Sequence, residues 1–360
     1  MSDCEFLPGV LDHFTEELKE ISRRDAIPVN GIFELTARCN FDCRMCYVHL
    51  TPDEISKQGS ELTNAEWLRI AEEARNRGML QLTLTGGEIF VRRDFRELYT
   101  ELKKMGFLIN LMSNGYLVDE RVMEWLAKDP PYAMRFTLYG ASNETYRAVT
   151  GIPDGFDRVS HAVDLVKKAD IPFYLMGLII KENNADILKM YEFAREKKVY
   201  FRHSIALVPP VRGARQDAAA HRVDFTKFPK EAFKDFPKLD RLYRHQPRQL
   251  LDCAHYRRGF VVTWNGKMQL CTFLSDPAED IRELGFDAAW EKLLADLDRL
   301  PEPEKCGTCK YEGFCRRCPG VLAAESGSTG RVTDAYCRQA EFVYGIYNKK
   351  AGGAENEKNV

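Results

Sequence analysis

Between residues 31 and 208 of this 360-residue chain, apolar segments of strand length alternate with amphipathic segments of helix length. The strand-like segments are 31–36, 81–85, 108–113, 135–139, 173–180 and 200–208. The helical segments between them lie around 65–77, 94–105, 120–128, 156–168 and 185–197. This alternation predicts an α/β fold with parallel strands and helical crossovers. Six such units fit a partial (β/α)6 barrel, whose active site lies at the carboxyl ends of the strands.

The sequence around this barrel divides into shorter segments. Residues 1–28 form a helical leader, too short for a separate peptide-binding domain, and residues 29–225 form the barrel. Residues 226–250 are a charged, proline-containing bridge to a small cysteine-rich domain at 251–345. The polar tail at 346–360 contains two adjacent glycines and is expected to be disordered. Within the barrel, Thr63 and Glu66 have the spacing of a helix capping box.

Composition excludes several functional classes. The formal net charge is -2, from 52 basic and 54 acidic side chains, so no global field favours nucleic acid or an anionic membrane. The longest apolar segments are strand-sized, and the amino terminus lacks the basic and apolar regions of a secretory signal. The sequence therefore predicts a cytoplasmic protein.

Eleven cysteines are distributed unevenly along the chain. Three occur at positions 39, 43 and 46, seven lie between Cys253 and Cys337, and Cys4 stands alone. In a reduced cytoplasm, clustered cysteines indicate metal ligands rather than disulfides. The chain therefore has two candidate metal-binding regions.

The first region has the spacing Cys-x3-Cys-x2-Cys and directly follows the first strand. Three thiolates suit an iron–sulfur cluster that keeps one iron open for a small ligand. With Tyr47 after the third cysteine, the loop Cys39, Cys43, Cys46 resembles that of the radical S-adenosylmethionine (SAM) family, where SAM occupies that iron. The alternative is a partial zinc site in which His49 is a fourth ligand.

The second strand ends in Gly86-Gly87-Glu88, which looks like the GGE motif that binds the SAM amine in the same family. Ile89 replaces the proline that often follows this motif. The resemblance implies further contacts with SAM from Met45, Tyr47, Ser113, Thr137 and Arg147. Thr137 would touch the ribose, and Arg147 would bind the carboxylate, because a guanidinium group contacts both carboxylate oxygens.

The second cysteine region reads Cys253-x12-Gly266-x4-Cys271, Cys306-x2-Cys309-x5-Cys315-x2-Cys318 and Cys337. This order resembles the SPASM domain, a carboxyl-terminal extension of peptide- and protein-modifying radical SAM enzymes that carries two auxiliary iron–sulfur clusters. A pair of zinc ribbons is the alternative.

The SPASM resemblance also implies how the cysteines divide. The distal cluster would be held by four thiolates, from Cys306, Cys309, Cys315 and Cys337. The proximal cluster would be held by Cys253, Cys271 and Cys318. This chain has two residues rather than three before Cys318, and no extra cysteine at 246–250. The fourth proximal position would therefore be open, filled by Asp252 or His255, or taken by the substrate.

These resemblances imply reductive cleavage of SAM to a 5′-deoxyadenosyl radical, with electrons from a donor such as flavodoxin or ferredoxin. The favoured substrate is a ribosomally made peptide that receives a thioether or carbon–carbon crosslink, recognised directly or through a separate leader-recognition protein. The alternative of formylglycine formation on a sulfatase is weakened, because Thr272 stands where similar maturases have a catalytic aspartate. A non-catalytic iron–sulfur or zinc scaffold, which would not turn over SAM, is the third hypothesis.

Overall fold

The computed structural model describes residues 12–214, 217–225, 228–229, 257–311, 315 and 318–356. Within these residues, one sheet has the strand order β6-β5-β4-β3-β2-β1-β7-β8-β9. The strands are β1 Asn30–Glu34, β2 Gln81–Thr85, β3 Leu108–Ser113, β4 Ala133–Thr137, β5 Phe173–Leu178, β6 Phe201–Ser204, β7 Gly259–Val262, β8 Lys267–Cys271 and β9 Leu274–Asp280. In this order, every pair of neighbours from β6 through β1 to β7 is parallel. Strand β8 is antiparallel to both of its neighbours, β7 and β9. The sheet is not closed, and the predicted partial barrel is confirmed.

Helices follow most of the strands. They are α1 Asp12–Arg24, α2 Pro52–Gln58, α3 Asn64–Asn76, α4 Phe95–Lys104, α5 Glu120–Leu126, α6 Asn143–Thr150, α7 Gly155–Lys168, α8 Ile187–Lys197, α9 Ile281–Leu284, α10 Phe286–Leu297, α11 Pro319–Ser326 and α12 Asp334–Asn356. The capping box predicted at Thr63 is present at the start of α3. Strand β6 is shorter than the predicted 200–208, because its one neighbour among the described strands, β5, ends at Leu178, the partner of Ser204.

The two faces of the barrel strands have different environments. Successive residues of a strand point to opposite faces. Phe33, Leu84, Leu111, Phe136 and Leu175 point outward and are fully buried. On the other face, most side chains are partly exposed, which makes an open interior at the concave side of the sheet.

Strand β7 belongs to the same sheet as the barrel, although the sequence places residues 251–345 in a separate domain. It pairs in parallel with β1, from Asn30 opposite Gly259 to Phe33 opposite Val262. All four β7 residues are buried, and the Phe260 ring packs on Phe33. An apolar strand buried on both faces is typical of a parallel sheet interior. The cysteine-rich region therefore continues the barrel sheet.

The last helix, α12, continues to Asn356, so residues 346–356 are helical where the sequence predicts disorder. Replacing alanine by glycine inside a helix destabilises the helix by only about 1 kcal/mol. A helix that is anchored by packing can therefore continue through glycine residues. The anchors are Ala340 and Val343, which are buried. Residues 357–360, and the bridge at 226–250 except for 228–229, lie outside the described residues. In the described part of the chain, no helix is both long and apolar enough to cross a membrane.

Candidate functional site

The three-cysteine loop lies at the carboxyl end of β1 and docks on the last turn of α6. The amides of Asp42 and Arg44 donate to the carbonyl oxygens of Thr150 (3.1 Å) and Val149 (3.0 Å). Within the loop, the Cys46 amide donates to the Cys43 carbonyl at 3.0 Å. These bonds fix the backbone from which the three thiols project.

Hydrogen-bond donors surround two of the thiols. The Sγ atom of Cys39 accepts from the Phe41 amide at 3.4 Å and lies 3.9 Å from Nδ2 of Asn114. The thiol of Cys46 accepts from the backbone amides that follow it, those of Val48 and His49. Donors of this kind stabilise thiolates and tune iron–sulfur clusters.

The third thiol, that of Cys43, is the most deeply buried and interacts with a tyrosine. The Tyr139 hydroxyl donates to it. The Tyr139 ring is held edge-on by Phe41 and Tyr146, at centroid distances of 5.7 and 5.8 Å. The sequence predicted a role for Thr137 but not for Tyr139, two residues later. A tyrosine after a strand is equally compatible with simple packing.

The environment of the loop favours metal-bound thiolates. Burial raises the pKa of Cys39 to about 12, and also raises the pKa values of Cys43 and Cys46. Such thiols ionise when a metal replaces their protons. Three thiols, one buried and two partly buried, each with a hydrogen-bond donor, fit a cluster held by three cysteines.

His49, the alternative zinc ligand, has Nε2 3.6 Å from Oδ1 of Asp42 and is therefore directed toward a carboxylate. Among the described residues, no three His, Cys, Asp or Glu side chains are grouped to bind a single metal ion.

The glycines of the Gly86-Gly87-Glu88 segment bring the end of β2 against the backbone that enters the cysteine loop. Gly86 has φ +150°, and a Cβ atom there would lie 2.5 Å from the Thr36 carbonyl oxygen. A Cβ atom at Gly87 would lie 2.3 Å from the Arg38 carbonyl oxygen. The amides of Gly87 and Glu88 donate to these same two oxygens, at 2.7 and 3.0 Å. The close approach is thus to the protein's own backbone.

This packing buries the carboxylate of Glu88 beside the cysteine loop. It accepts hydrogen bonds from the Ser113 hydroxyl (3.0 Å), the Asn114 amide (2.7 Å) and the Phe90 amide (3.1 Å). Burial raises its pKa to about 7, although these hydrogen bonds act in the opposite direction. Asn114 links this carboxylate to the loop, because its amide donates to Glu88 and its Nδ2 lies 3.9 Å from Sγ of Cys39. The hydroxyl of Ser113 is therefore engaged with Glu88.

The remaining predicted SAM contacts are less closely assembled. Thr137 ends β4 on the inner face and is partly exposed, and the Tyr47 ring meets Phe273 edge-on at 5.3 Å. The Met45 side chain is part of the hydrophobic core. Arg147 is exposed on α6 and forms no side-chain hydrogen bond or ion pair with a described residue. The structure thus brings Glu88 and Ser113 to the cysteine loop, whereas Arg147 lies with its side chain exposed on α6, the helix on which that loop docks.

A buried ion pair at the mouth of the barrel was not predicted. Nη1 of Arg212 lies 2.9 and 2.8 Å from the two carboxylate oxygens of Glu34, at the end of β1. Nη2 of the same arginine donates to the Thr272 carbonyl, directly after Cys271. Because the partners are far apart in the sequence, no local pattern could have found this contact.

The cysteines expected to hold the distal auxiliary cluster lie around one apolar cavity. Its lining residues are Cys306, Cys309, Tyr311, Cys315, Leu322, Val332, Tyr336, Cys337 and Ala340. Four thiols with apolar and aromatic neighbours are a donor set that fits a buried four-iron cluster.

Two of the expected proximal ligands also lie near each other. A Cβ atom added to Gly320, two residues after Cys318, would lie 3.1 Å from Sγ of Cys271. The Cys318 amide donates to the Tyr336 hydroxyl at 3.0 Å, beside the distal cavity. Cys253, Asp252 and His255, together with Cys4, lie outside the described residues.

Comparisons with known proteins agree with this geometry. Residues 33–194 match the model of the Radical SAM superfamily. An AdoMet-dependent heme synthase of Methanosarcina barkeri is 28% identical, over 82% of this chain and 92% of that protein. A PqqA peptide cyclase of Rhizobium meliloti is 27% identical, over 85% of this chain and 86% of that protein.

Among solved structures, Streptococcus suis SuiB bound to S-adenosylmethionine superposes with a TM-score of 0.62 at 15% identity, covering 90% of this chain and 80% of that chain. This likeness extends the shared fold beyond the matched residues 33–194. The superfamily uses SAM and a 4Fe–4S cluster. The chain is therefore a radical SAM enzyme, with residues 33–194 as its radical SAM domain.

Proposed function

We propose that this enzyme cleaves SAM reductively at a cluster held by Cys39, Cys43 and Cys46, and modifies a ribosomally made peptide by forming a thioether or carbon–carbon crosslink. The observation that carries the proposal is the meeting of three hydrogen-bonded thiols with the buried carboxylate of Glu88 at the carboxyl ends of β1 and β2. When bound, the cluster and SAM supply a 5′-deoxyadenosyl radical that takes a hydrogen atom from the substrate.

The residues of the chain hold and orient SAM. Glu88 would accept hydrogen bonds from its ammonium group, and Ser113 and the Asn114 amide fix that carboxylate from behind. Thr137, partly exposed at the end of β4, would reach the ribose. Arg147 would bind the SAM carboxylate if its side chain turns from the surface of α6 toward the loop.

The auxiliary cysteines would hold clusters that accept the electron released after bond formation in the substrate. Cys306, Cys309, Cys315 and Cys337 would hold one auxiliary cluster, in the apolar cavity that they line. Cys271 and Cys318, with Cys253, would hold the other. Redox-active groups of this kind suit a reaction in which bond formation removes two hydrogens from the substrate.

A peptide substrate is supported by the PqqA peptide cyclase, which aligns with most of this chain. A precursor peptide, SuiA, is bound in another structure of SuiB. Formylglycine formation has less support, because Thr272 lacks a carboxylate and its carbonyl accepts from Arg212.

A second candidate is heme synthesis from an iron tetrapyrrole. The Methanosarcina barkeri heme synthase favours it, since its alignment covers 92% of that protein. This candidate shares SAM cleavage with the first and differs from it in the substrate.

Anaerobic reconstitution followed by activity assays tests the proposal. We expect about 12 irons per chain, as three four-iron clusters require, and conversion of SAM to 5′-deoxyadenosine by the reduced enzyme. Cys43→Ala should abolish that conversion and remove about four irons. Bound zinc with little iron, and no SAM turnover, would support the scaffold hypothesis instead.

Mass spectrometry of a peptide encoded beside the gene then identifies the product. Loss of two hydrogens indicates a crosslink, whereas an unchanged mass directs the search to epimerisation. Conversion of an iron tetrapyrrole to heme, with no change in any peptide, would select the second candidate.

A further inference from the structure

Two arginines lie on the inner face of the barrel, on either side of one tyrosine. Residues paired across neighbouring strands point to the same face of a sheet. Arg135 of β4 pairs with Tyr174 of β5, and Arg202 of β6 pairs with Met176, two residues beyond Tyr174. All four therefore face the interior, opposite the fully buried Phe136.

The charges on this face do not balance. In the described strands β1 to β6, the inner face carries one carboxylate, that of Glu34, which is already paired with Arg212. Arg135 forms no hydrogen bond or ion pair with any described residue. Arg202 is placed over the Tyr174 ring, 5.4 Å from its centroid, and likewise has no carboxylate partner in the described part of the chain. Two guanidinium groups thus face the interior with unused donors.

The surroundings favour an anionic ligand. A guanidinium group presents a planar fork of donors that matches a carboxylate, and this interaction is stronger at the partly buried Arg135 than at the exposed Arg202. Adjacent strands are about 4.8 Å apart, and Arg202 is also offset from Arg135 by two residues along the strands, so the two backbone positions are about 12 Å apart. That spacing allows two separate carboxylates to bind, with Tyr174 and the flexible Met176 between them.

The two arginines lie at different depths: Arg202 is level with Thr137 through Met176, whereas Arg135 lies deeper in the barrel. Arg135 precedes Thr137, at the end of β4, by two residues. This corresponds to about 7 Å along the strand, below the level of the cysteine loop and Glu88. A group bound there would belong to the molecule that lies beneath SAM.

We propose that Arg135 and Arg202 bind carboxylate groups of the substrate, so that the modified peptide segment is acidic, with Asp or Glu side chains close to the modified residue. This rests on the proposed function only in taking the substrate to be a peptide. The two arginines would select that segment and position it, Arg135 beneath SAM and Arg202 at the level of Thr137.

Fluorescence anisotropy tests this with anaerobic, reconstituted enzyme loaded with SAM. The probes are two fluorescein-labelled heptapeptides, Gly-Ala-Glu-Ala-Glu-Ala-Gly and the same peptide with Gln for both Glu. We expect the acidic peptide to bind at least tenfold more tightly, and added salt to reduce this difference. Arg135→Gln and Arg202→Gln should each reduce the preference, and the double variant should abolish it. Arg135→Lys keeps the positive charge but loses the planar pair of guanidinium donors, so it should retain part of the preference for the acidic peptide.

Arg121→Gln is the matched control, since the Arg121 side chain is 92% exposed and pairs only with Asp119 beside it. It should keep the full preference. Equal binding of the two peptides by the wild-type enzyme would overturn the proposal. So would a tenfold or greater rise in the SAM Kd of Arg135→Gln, because the arginine would then serve the SAM carboxylate. Failure of the wild-type enzyme to form 5′-deoxyadenosine would refute the proposed function and leave the peptide preference to be judged by itself.

Discussion

Glu34 and Arg212 are 178 residues apart in the chain and form an ion pair at 2.8 Å, with only 6% and 9% of their side chains exposed. Because Arg212 also donates to the Thr272 carbonyl, one guanidinium group joins the first barrel strand, the segment after the sixth strand and the second cysteine region. The two cysteine regions are therefore held in a fixed relation by a polar contact as well as by the sheet.

Removal of Arg212 should destabilise the protein strongly. Arg212→Met leaves the Glu34 carboxylate buried without its partner, and such changes cost about 3–5 kcal/mol. The double variant Glu34→Leu with Arg212→Met should recover much of that loss, since no buried charge remains. Urea unfolding followed by circular dichroism measures both effects. Arg38→Met is the matched control, because the Arg38 side chain is 51% exposed and its ion pair with Glu61 should contribute less than about 1 kcal/mol. Equal losses in the two single variants would contradict this account.

The Tyr139 hydroxyl should tune the cluster at Cys43. Tyr139→Phe keeps the ring packing and removes the donor to the thiolate. Donors to cluster sulfurs favour the reduced, more negative state, so we expect a more negative reduction potential and slower formation of 5′-deoxyadenosine. A redox titration followed by electron paramagnetic resonance measures the potential. Tyr116→Phe, which loses a hydroxyl directed at Asp154 rather than at a thiol, should leave the potential unchanged.

SAM affinity should depend on pH through Glu88. Burial raises the pKa of this carboxyl to about 7 in the free enzyme, and only the ionised form attracts an ammonium group. Lowering the pH from 8 to 6 should therefore raise the SAM Kd about tenfold. Glu88→Gln should bind SAM weakly at pH 8, with little further loss at pH 6. Glu120→Gln, at an exposed helix position, should retain the wild-type dependence. Anaerobic equilibrium binding with the cluster in place would measure all three, and a wild-type slope in Glu88→Gln would exclude this role.

Acid should weaken the fold through His203. This side chain is buried on β6, and burial lowers its pKa from 6.5 to about 4. Between these two values the unfolded chain binds a proton that the folded protein does not. The free energy of unfolding should consequently fall as the pH falls through this range, by up to about 1.4 kcal/mol per pH unit. His203→Gln should show a shallower decline in urea unfolding, whereas His161→Gln, at an exposed site, should follow the wild type. Parallel curves for all three proteins would assign the acid sensitivity to other groups.

Local patterns in the sequence predicted much of the barrel, because its elements depend on neighbouring residues. The strands at 81–85 and 108–113 have the predicted bounds, and the Thr63 capping box forms as expected. The cysteine loop was found for the same reason, since its ligands lie within eight residues of sequence.

Contacts between distant segments were not predictable in this way. The pairing of Glu34 with Arg212, and of β1 with β7, depends on how the whole sheet brings distant segments together. Tyr139 was missed for a different reason. Its hydroxyl donates to the Cys43 thiol, but its ring packs as any core tyrosine would. Only the three-dimensional structure distinguishes a donor to a thiol from a packing residue.

The pairing of β1 with β7 has a consequence for synthesis in the cell. Strand β1 has β2 on one side soon after translation begins, but its other edge has no neighbour until Val262 has left the ribosome. At about 5–20 residues per second, the intervening chain takes roughly ten seconds or more to appear. During this interval the strand that leads into the cysteine loop is open along one edge. Completion of the sheet, and with it a rigid setting for the three thiols, must follow synthesis of residues 259–280, the segment that also carries Cys271.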